Sequence, residues 1–332
     1  MFQTIMKKDK KMYCPPFTIS HGAISLIAEI SAQVERFAIR LEQADGLLLR
    51  KANRIKTIHS SLAIEGNTLS EEEVRDVING KNIIAPLREI QEVKNAIKTY
   101  ELYPTLDAFK ESDLLKAHRI MMQALVDNAG HYRNGGVGVF GNHGLVHLAP
   151  PAMRVPSLMF DLFNWLRNSQ DHLLIRSCVF HYEFEFIHPF IDGNGRMGRL
   201  WQSLILGKLS PIFEHLPVEN MVYSNQQQYY DAIAASTKAG ESGPFIDFML
   251  REILKTLKDH QGKSKTTQKT TQKTTQKILD IMKSNSSVTI DYLCEACGLT
   301  RDGINWNIRK LKEQGKIRRI GPDKGGYWEV IQ

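Results

Sequence analysis

Apolar residues spaced three and four positions apart are the feature that most limits how this chain can fold. They recur through residues 1–260, for example in the runs Ile24–Val34 and Leu114–Leu125. This spacing gathers apolar side chains on one face of an α-helix, so we predict a mainly α-helical body. The chain has 332 residues, of which 42% are hydrophobic, and this is enough for the cores of two or three domains.

The sequence does not predict a membrane partner or a secreted protein. Its longest apolar stretches, such as Leu47–Leu49, are far shorter than a membrane span. The N-terminal residues MFQTIMKKDKKMY lack the apolar core of a signal peptide. Only Cys294 and Cys297 among the four cysteines form a CxxC pair, which is no disulfide framework. We therefore expect a cytoplasmic protein.

A low-complexity segment divides the chain. Residues 261–277 repeat the tetrad TTQK without any apolar residue. Such a segment cannot bury surface to offset the entropy of ordering, so we predict a linker. Ahead of it we separate an N-terminal helical region, residues 1–110, from a core region, residues 111–260, because Ser112 and Asp113 can begin a new helix.

One segment of the body favours β-structure. Within Val137–Leu148, two short β-prone runs flank the residues Gly-Asn-His-Gly, and Pro150 and Pro151 follow. Glycine and asparagine are typical of a hairpin tip, and proline ends a strand. We therefore predict a β-hairpin over residues 137–148.

The residues after the linker, 278–332, predict a winged helix-turn-helix domain, because three helix-like segments precede two short strands. Residues 261–332 contain 14 Lys and Arg against 7 Asp and Glu, which equals the net charge of +7 of the whole chain. A basic module of this kind favours nucleic acid. The predicted helices and strands are Ile278–Met282, Thr289–Cys297, Thr300–Glu313, Lys316–Ile320 and Tyr327–Ile331.

The stretch IHPFIDGNGRMGRL, residues 187–200, indicates a helix, a sharp loop and a second helix. Pro189 biases His188 towards an extended conformation and so ends the first helix. Gly193 and Gly195 permit backbone conformations that expose amide groups at the start of the second helix. Exposed amides and the positive end of the helix dipole both favour an anion, so we predict a phosphate site.

The charged side chains around this loop fit a polyphosphate. Arg196 and Arg199 lie three residues apart and so neighbour one another on the helix, where they add charge-assisted donors. Asp192 would repel phosphate unless a cation lay between them, which favours a role as a Mg²⁺ ligand. His188, with an unperturbed pKa near about 6.5, can accept the proton of an attacking hydroxyl. These groups suffice for nucleotidyl transfer.

The whole string matches every fixed position of the HPFx(D/E)GNGRxxR signature of the Fic family, which the chain closely resembles. The matching residues are His188, Pro189, Phe190, Asp192, Gly193, Asn194, Gly195, Arg196 and Arg199.

The resemblance implies a Fic-type helical bundle that moves AMP from Mg-ATP to a Ser, Thr or Tyr hydroxyl of a target protein or of the chain itself. It implies that His188 is the general base, that Asp192 binds Mg²⁺, and that the hairpin at 137–148 is a flap along which the target segment lies. Tyr229 and Tyr230 fall where the family places the adenine pocket, although two core tyrosines remain the alternative. The implied nucleotide-binding residues are Gly193, Asn194, Gly195, Arg196, Met197, Gly198, Arg199, Tyr229 and Tyr230.

A second motif concerns regulation. A long helix-like stretch ends at Gly66, which leaves Glu65 at the negative end of the helix dipole and in need of a cationic partner or of solvent. The residues from Ser61 to Asn67 resemble the (S/T)xxxE(G/N) inhibitory motif of Fic proteins, which implies that Glu65 holds Arg199 and excludes the γ-phosphate. The implied inhibitory residues are Glu65, Ser61, Gly66 and Asn67.

Other readings stay open. The chain can be chiefly a DNA-binding regulator that contacts DNA through residues 300–320, although winged helices also bind proteins. Within the enzyme class, the same pocket can instead remove AMP from a modified protein, and a homodimer is compatible with the sequence. The basic and polar residues of the predicted recognition helix and wing are Arg301, Asn305, Trp306, Arg309, Lys310, Arg318 and Arg319.

Overall fold

The computed structural model describes residues 13–41, 46–141, 144–214, 216, 218–322 and 326–331. The chain forms two compact units, residues 1–258 and 259–332. The first unit is mainly helical, as predicted. Its helices are α1 (His21–Leu41), α2 (Gly46–Ile64), α3 (Glu71–Ile78), α4 (Leu87–Glu101), α5 (Glu111–Met121), α6 (Val155–Asn168), α7 (Leu173–Ile187), α8 (Asn194–Leu209), α9 (Val218–Ser224), α10 (Gln226–Ala239) and the first part of α11 (Gly243–Ser284).

Helices α7 and α8 form the centre of the first unit. They pack along one another, with α6 beside α7 and with α2 and α5 beside α8. Nearly every residue of α7 is buried, which explains why its apolar residues show no single face. Aromatic rings fill the space between the helices, with Phe163 meeting Phe180 and Trp201 edge-on. Two buried helices therefore carry the predicted loop between them, and this fixes the loop in place.

The segment before α4 shows how polar residues delimit the helices near the site. Ser70 caps α3 by accepting a hydrogen bond from the backbone amide of Glu73, whose carboxylate in turn accepts one from the Ser70 backbone amide. This reciprocal pair satisfies two amides that the helix leaves without partners. Gly80, with φ of +75°, follows the end of the helix. Ser70 and Gly80 therefore mark the start and the end of α3, the helix between α2 and α4.

The predicted hairpin is present. Strands β1 (Gly138–Gly141) and β2 (Gly144–Leu148) pair antiparallel, with a register shift between Val139 and Phe140. The two central residues of the predicted tip, 142 and 143, lie outside the described residues. At the base of the hairpin, the Ala149 amide donates to the Val137 carbonyl at 3.3 Å. The hairpin therefore leaves and rejoins the helical unit at one place.

The second unit is a winged helix, as predicted. The end of α11 is followed by α12, α13 and the antiparallel strands β3 and β4. Its core contains Ile278, Leu293, Ile304 and Leu311, with Trp328 of β4 packed on them. The two helices that follow α11 and the two strands of the wing are α12 (Ile290–Cys297), α13 (Arg301–Glu313), β3 (Ile317–Ile320) and β4 (Tyr327–Val330).

The low-complexity segment 261–277 lies inside α11 and has a helical backbone. Beyond Gly262 it contains neither Gly nor Pro, and Lys and Gln are good helix formers, so the absence of apolar residues does not prevent local helix formation. Its assignment as a linker between domains stays a prediction. Among the described residues, no helix is both long and apolar enough to cross a lipid bilayer.

Candidate active site

The loop between α7 and α8 adopts a conformation that few residues tolerate. His188, which ends α7, has φ of 49° and ψ of 63°, in the left-handed region, so the prediction that it is extended ahead of Pro189 is wrong. Gly193, which precedes α8, has φ of +84°, and a Cβ there would lie 2.7 Å from Sδ of Met122. Glycine is therefore needed at 193 for both its backbone angle and its contact with α5. The two turns reverse the chain so that α8 packs along α7.

Asn194 closes the loop. Its Nδ2 donates to the Phe190 carbonyl, and its Oδ1 accepts from the Phe190 amide, both at 2.9 Å. The side chain is also almost completely buried. Asn194 therefore uses its side chain to hold the loop, and the prediction that it contacts a phosphate applies to its backbone amide at the start of α8.

His118 of α5 supports the same loop, although no local sequence pattern singles it out. Its ring stacks on Phe190 with centroids 3.6 Å apart. Its Nδ1 accepts from the Gly130 amide at 2.8 Å, so the proton resides on Nε2, which donates to the Asp192 carbonyl at 3.0 Å. Burial lowers the pKa of His118 to about 4. The neutral imidazole thus joins the backbone at Asp192 to the backbone at Gly130.

Asp192 and Arg196 form the first polar cluster of the site. Nη2 of Arg196 donates to Oδ1 of Asp192 at 3.1 Å, and Nη2 of Arg88 lies 3.4 Å from Oδ2 of the same carboxylate. Arg196 is almost fully buried, and within the described part of the chain its Nε and Nη1 have no hydrogen-bond acceptor. Nη1 lies 3.9 Å from Glu92. A buried guanidinium with unused donors fits an additional anionic ligand.

Glu65 and Arg199 form the second cluster. Oε1 of Glu65 accepts from Nη2 of Arg199 at 2.7 Å. Arg199 is 1% exposed and the Glu65 side chain 30%. A Cβ on Gly195 would lie only 2.5 Å from Oε1 of Glu65, so the carboxylate lies against the first turn of α8. An anion from the protein itself therefore lies where the helix dipole and the loop amides favour an anion.

The other residues of the predicted inhibitory motif hold Glu65 in this position. The Ser61 carbonyl accepts from Nη2 of Arg199 at 3.1 Å. Gly66, with φ of +90°, ends α2. Nδ2 of Asn67 donates to Oε2 of Glu92 on α4 at 2.8 Å. The loop that carries Glu65 is thus tied to α4, and Glu92 lies between Asn67 and Arg196.

A buried carboxyl group lies further along the same face of α8. Oε1 of Glu185 lies 2.6 Å from the position of a Cβ on Gly198 and 3.8 Å from Nε2 of His181. Burial raises the pKa of Glu185 to about 8, with Arg199 opposing and Glu65 adding to this rise. Gly198 therefore permits the close approach of α8 and α7, and the fully buried Met197 packs in the core. Gly198 has no side chain and that of Met197 lies in the core, so a nucleotide contact at these two predicted positions would involve the backbone.

The structure places the two predicted adenine-pocket tyrosines differently. Tyr229 is buried, and its hydroxyl lies 3.1 Å from Nε2 of His181. Nδ1 of His181 donates to Oε1 of Gln202 at 2.6 Å, so Nε2 accepts from Tyr229. Phe245 packs edge-on against the Tyr229 ring. Tyr230 is only half-buried. Tyr229 is a core residue here, whereas Tyr230 remains the candidate for a base contact.

Two buried central helices joined by a short loop, with a two-stranded hairpin tied to that loop through Arg133, define a class of mainly helical proteins. A family model described as the Fic/DOC family matches residues 106–206. The crystal structure of a Fic family protein from Desulfovibrio desulfuricans G20 is 42% identical, superposes with a TM-score of 0.75, and covers 96% of this chain and 98% of that chain. The chain belongs to the Fic/DOC family.

Curated relatives are more distant. A protein adenylyltransferase Fic from Drosophila mojavensis is 29% identical over 228 residues, which cover 63% of this chain and 42% of that protein. A probable protein adenylyltransferase from Aquifex aeolicus is 29% identical over 180 residues and covers 52% of both chains. This chain spans about half the length of the curated relatives that it matches. A model described as winged helix-turn-helix DNA-binding matches residues 271–318.

Proposed function

We propose that this chain transfers AMP from Mg-ATP to a hydroxyl group of a protein. The position of the Glu65 carboxylate carries this proposal, because it marks an anion site built from the start of α8 and Arg199. Family membership and the names of the curated relatives support AMP as the transferred group. The unused donors of Arg196 support a ligand with several negative charges.

In the proposed reaction, the acceptor hydroxyl oxygen forms a bond to the α-phosphorus of ATP, and the bond from that phosphorus to the bridging α–β oxygen breaks. Pyrophosphate leaves with the electron pair of that bond. His188 accepts the hydroxyl proton, and the amides of Gly193, Asn194 and Gly195 together with Arg196 stabilise the charge on the phosphates. Arg199 binds the γ-phosphate, and Tyr230 contacts the base.

The residues present fit a Mg²⁺ ion that ATP itself helps to bind. Within the described residues, no three His, Cys, Asp or Glu side chains cluster as metal ligands. Mg²⁺ commonly uses one or two carboxylates and completes its coordination with substrate phosphates and water. Asp192, whose carboxylate is partly exposed and contacts two arginines, is the carboxylate in this role. The ion would neutralise phosphate charge during the transfer.

We further propose that Glu65 restrains the activity. Its carboxylate and the γ-phosphate would compete for Arg199 and for the first turn of α8. Two anions cannot share this position without strong repulsion. ATP then binds weakly, or with its α-phosphate displaced from His188, while Glu65 remains on Arg199.

The test uses ATP labelled at the α-phosphate or at the γ-phosphate, incubated with the full chain and a host lysate. We expect only the α-label to enter protein, more of it with Glu65→Gln than with wild type, and none with His188→Ala. Glu101→Gln is the matched control, because Glu101 pairs with Arg54 on the surface. Incorporation of the γ-label above that in lysate without the chain, or α-label above the same blank with His188→Ala, would overturn the proposal. Loss of AMP from a premodified protein would favour the reverse reaction.

DNA binding by the second unit is a second candidate function, which the family match at residues 271–318 favours. In α13, Asn305 and Arg309 are exposed, and Lys310 lies over the Trp306 ring, 5.0 Å from its centroid. These groups can contact phosphates or bases in a groove. We expect binding to a duplex to weaken steeply with salt and to fall with Arg309→Ala but not with Lys283→Ala, an exposed residue of α11. Equal affinity of both variants would contradict this role.

A further inference from the structure

Arg133 lies between the catalytic loop and the hairpin, and no motif pointed to it. It is 2% exposed although it carries a permanent charge. A buried guanidinium has to place its donors on acceptors, because desolvation without hydrogen bonds is costly. Arg133 places them on backbone carbonyls from three separate segments. These carbonyls belong to Gly135, Pro150, Ile187 and His188.

One side of the guanidinium holds the end of α7. Nε of Arg133 donates to the His188 carbonyl at 2.7 Å and Nη2 to the Ile187 carbonyl at 3.2 Å. The backbone amide of Arg133 also donates to the Pro189 carbonyl at 2.9 Å. The left-handed conformation of His188 is unfavourable for a residue with a side chain and persists only where its surroundings fix it. Arg133 provides three of the contacts that fix it.

The other side of the guanidinium holds both ends of the hairpin. Nη1 donates to the Gly135 carbonyl, just before β1, at 2.8 Å. Nη2 donates to the Pro150 carbonyl, just after β2, at 2.5 Å. The hairpin is two-stranded, and a ribbon of this kind has little stability of its own. Its position relative to His188 therefore depends on contacts at its base.

We propose that Arg133 is a positioning residue that sets the distance between the hairpin and the His188 imidazole. This rests on the proposed function, in which an acceptor segment lies along the hairpin and presents its hydroxyl to His188. A shift of about 1 Å in such an alignment can reduce a rate by about 100-fold. The planar five-donor fork of arginine reaches all four carbonyls together, whereas a lysine ammonium is a single point with three donors.

The first test uses Arg133→Lys in the full chain and measures amide hydrogen exchange without ATP or acceptor. We expect exchange in residues 137–149 and 187–190 to become roughly 5- to 30-fold faster, as for the loss of one or two hydrogen bonds. Exchange in the centres of α6 and α8 should stay unchanged. Arg176→Lys is the control, because Arg176 is a half-buried arginine that, like the buried Arg133, donates to a backbone carbonyl, that of Leu166, away from the hairpin. It should leave residues 137–149 protected.

The second test separates positioning from ATP binding. With Arg133→Lys, we expect kcat/KM for AMP transfer to a protein acceptor to fall by about tenfold or more. The loss should come from a lower kcat and a higher KM for the acceptor. The Kd of Mg-ATP, measured by calorimetry in the Glu65→Gln background, should change less than about twofold, because Arg133 contacts the Ile187 and His188 carbonyls and none of the groups proposed to bind the nucleotide. Unchanged exchange at 137–149, or faster exchange throughout the first unit, would overturn the inference. If wild type transfers no AMP, the exchange experiment still decides the role of Arg133.

Discussion

Oε1 of Glu65 and Nη2 of Arg199 are 2.7 Å apart, although 134 positions of sequence separate the two residues. Burial opposes the charge on Arg199, but Glu65 outweighs it and holds the pKa of the guanidinium above its usual value. Burial also raises the pKa of two other carboxyls that interact with Arg199, that of Glu219 and that of Glu185, which it raises to about 8, so that Glu185 is mainly neutral at pH 7. Glu65 is therefore the main anionic partner of a buried cation.

We expect Glu65→Gln to destabilise the first unit and to strengthen its response to ATP. Removing one partner of a fully buried pair costs about 3–5 kcal/mol, and partial exposure of Glu65 reduces this to about 1–3 kcal/mol. Mg-ATP at about 100 times its Kd would restore about 2.7 kcal/mol. Thermal unfolding with and without Mg-ATP measures both effects. A variant as stable as wild type, or one that gains no more from Mg-ATP than Glu101→Gln, would contradict the role of the pair.

The glycine turn of the loop between α7 and α8 was predictable from sequence because it depends on nearby residues. Gly193 acts through its own backbone angle, and Asn194 bonds to Phe190 only four positions away. The helix stop at Gly66 and the hairpin at 137–148 are local in the same sense. Such features can be predicted from sequence, since the residue that causes each one lies within a few positions of the residue that it affects. The conformation of His188 was not predictable in this way, because Pro189 suggested an extended residue and the structure has a left-handed one.

The supports of the loop were not predictable, because they depend on tertiary contacts. His118 lies 74 positions from the Asp192 carbonyl that it holds, and Arg133 lies 55 positions from His188. Either residue alone reads as an ordinary helix or loop residue. The pairing of Glu65 with Arg199 is implied by the family resemblance and by no local sequence pattern. Two adjacent tyrosines on a helix give no indication of which one faces a ligand. The structure shows that Tyr229 is the one buried in the core.

The ion pair between Arg88 and Asp192 leads to a prediction about the Mg²⁺ concentration that AMP transfer requires. Arg88 is largely exposed and lies 3.4 Å from the carboxylate that we assign to Mg²⁺. An exposed ion pair contributes about 0–1 kcal/mol, so Arg88→Gln should lower the Mg²⁺ concentration for half-maximal AMP transfer by at most about fivefold. Asp192→Asn should raise it by more than about tenfold. Titrating Mg²⁺ at fixed ATP distinguishes the two. An increase with Arg88→Gln would mean that Arg88 binds the nucleotide instead of competing with the ion.

Gly198 makes a prediction about packing under the site. A Cβ at this position would lie 2.6 Å from Glu185 and 3.0 Å from the ring of His181, which Gln202 and Tyr229 hold in place. Gly198→Ala should therefore reduce the free energy of unfolding by about 1–3 kcal/mol. Gly303→Ala in α13, where the nearest atom is 3.4 Å away, is the control and should be neutral or stabilising by up to about 1 kcal/mol. Urea unfolding of both variants measures this, and equal stability of Gly198→Ala and wild type would contradict the close packing of α7 and α8.

His118 makes a prediction about acid stability. Burial lowers its pKa from 6.5 to about 4, so between these values the unfolded chain binds more protons than the folded one. Stability from this group is complete above pH 6.5 and is lost as the pH falls towards 4, by on the order of 3 kcal/mol. His118→Gln should be less stable at pH 7, because it loses the bond from Gly130, yet its stability should fall less on acidification. Other groups that titrate in this range, such as His181, are common to both proteins and cancel in the difference. Urea unfolding at pH 7, 5.5 and 4.5 should therefore show the two curves converging. Parallel curves would mean that folding does not lower the pKa of His118, and would contradict the buried neutral imidazole that holds the Asp192 carbonyl.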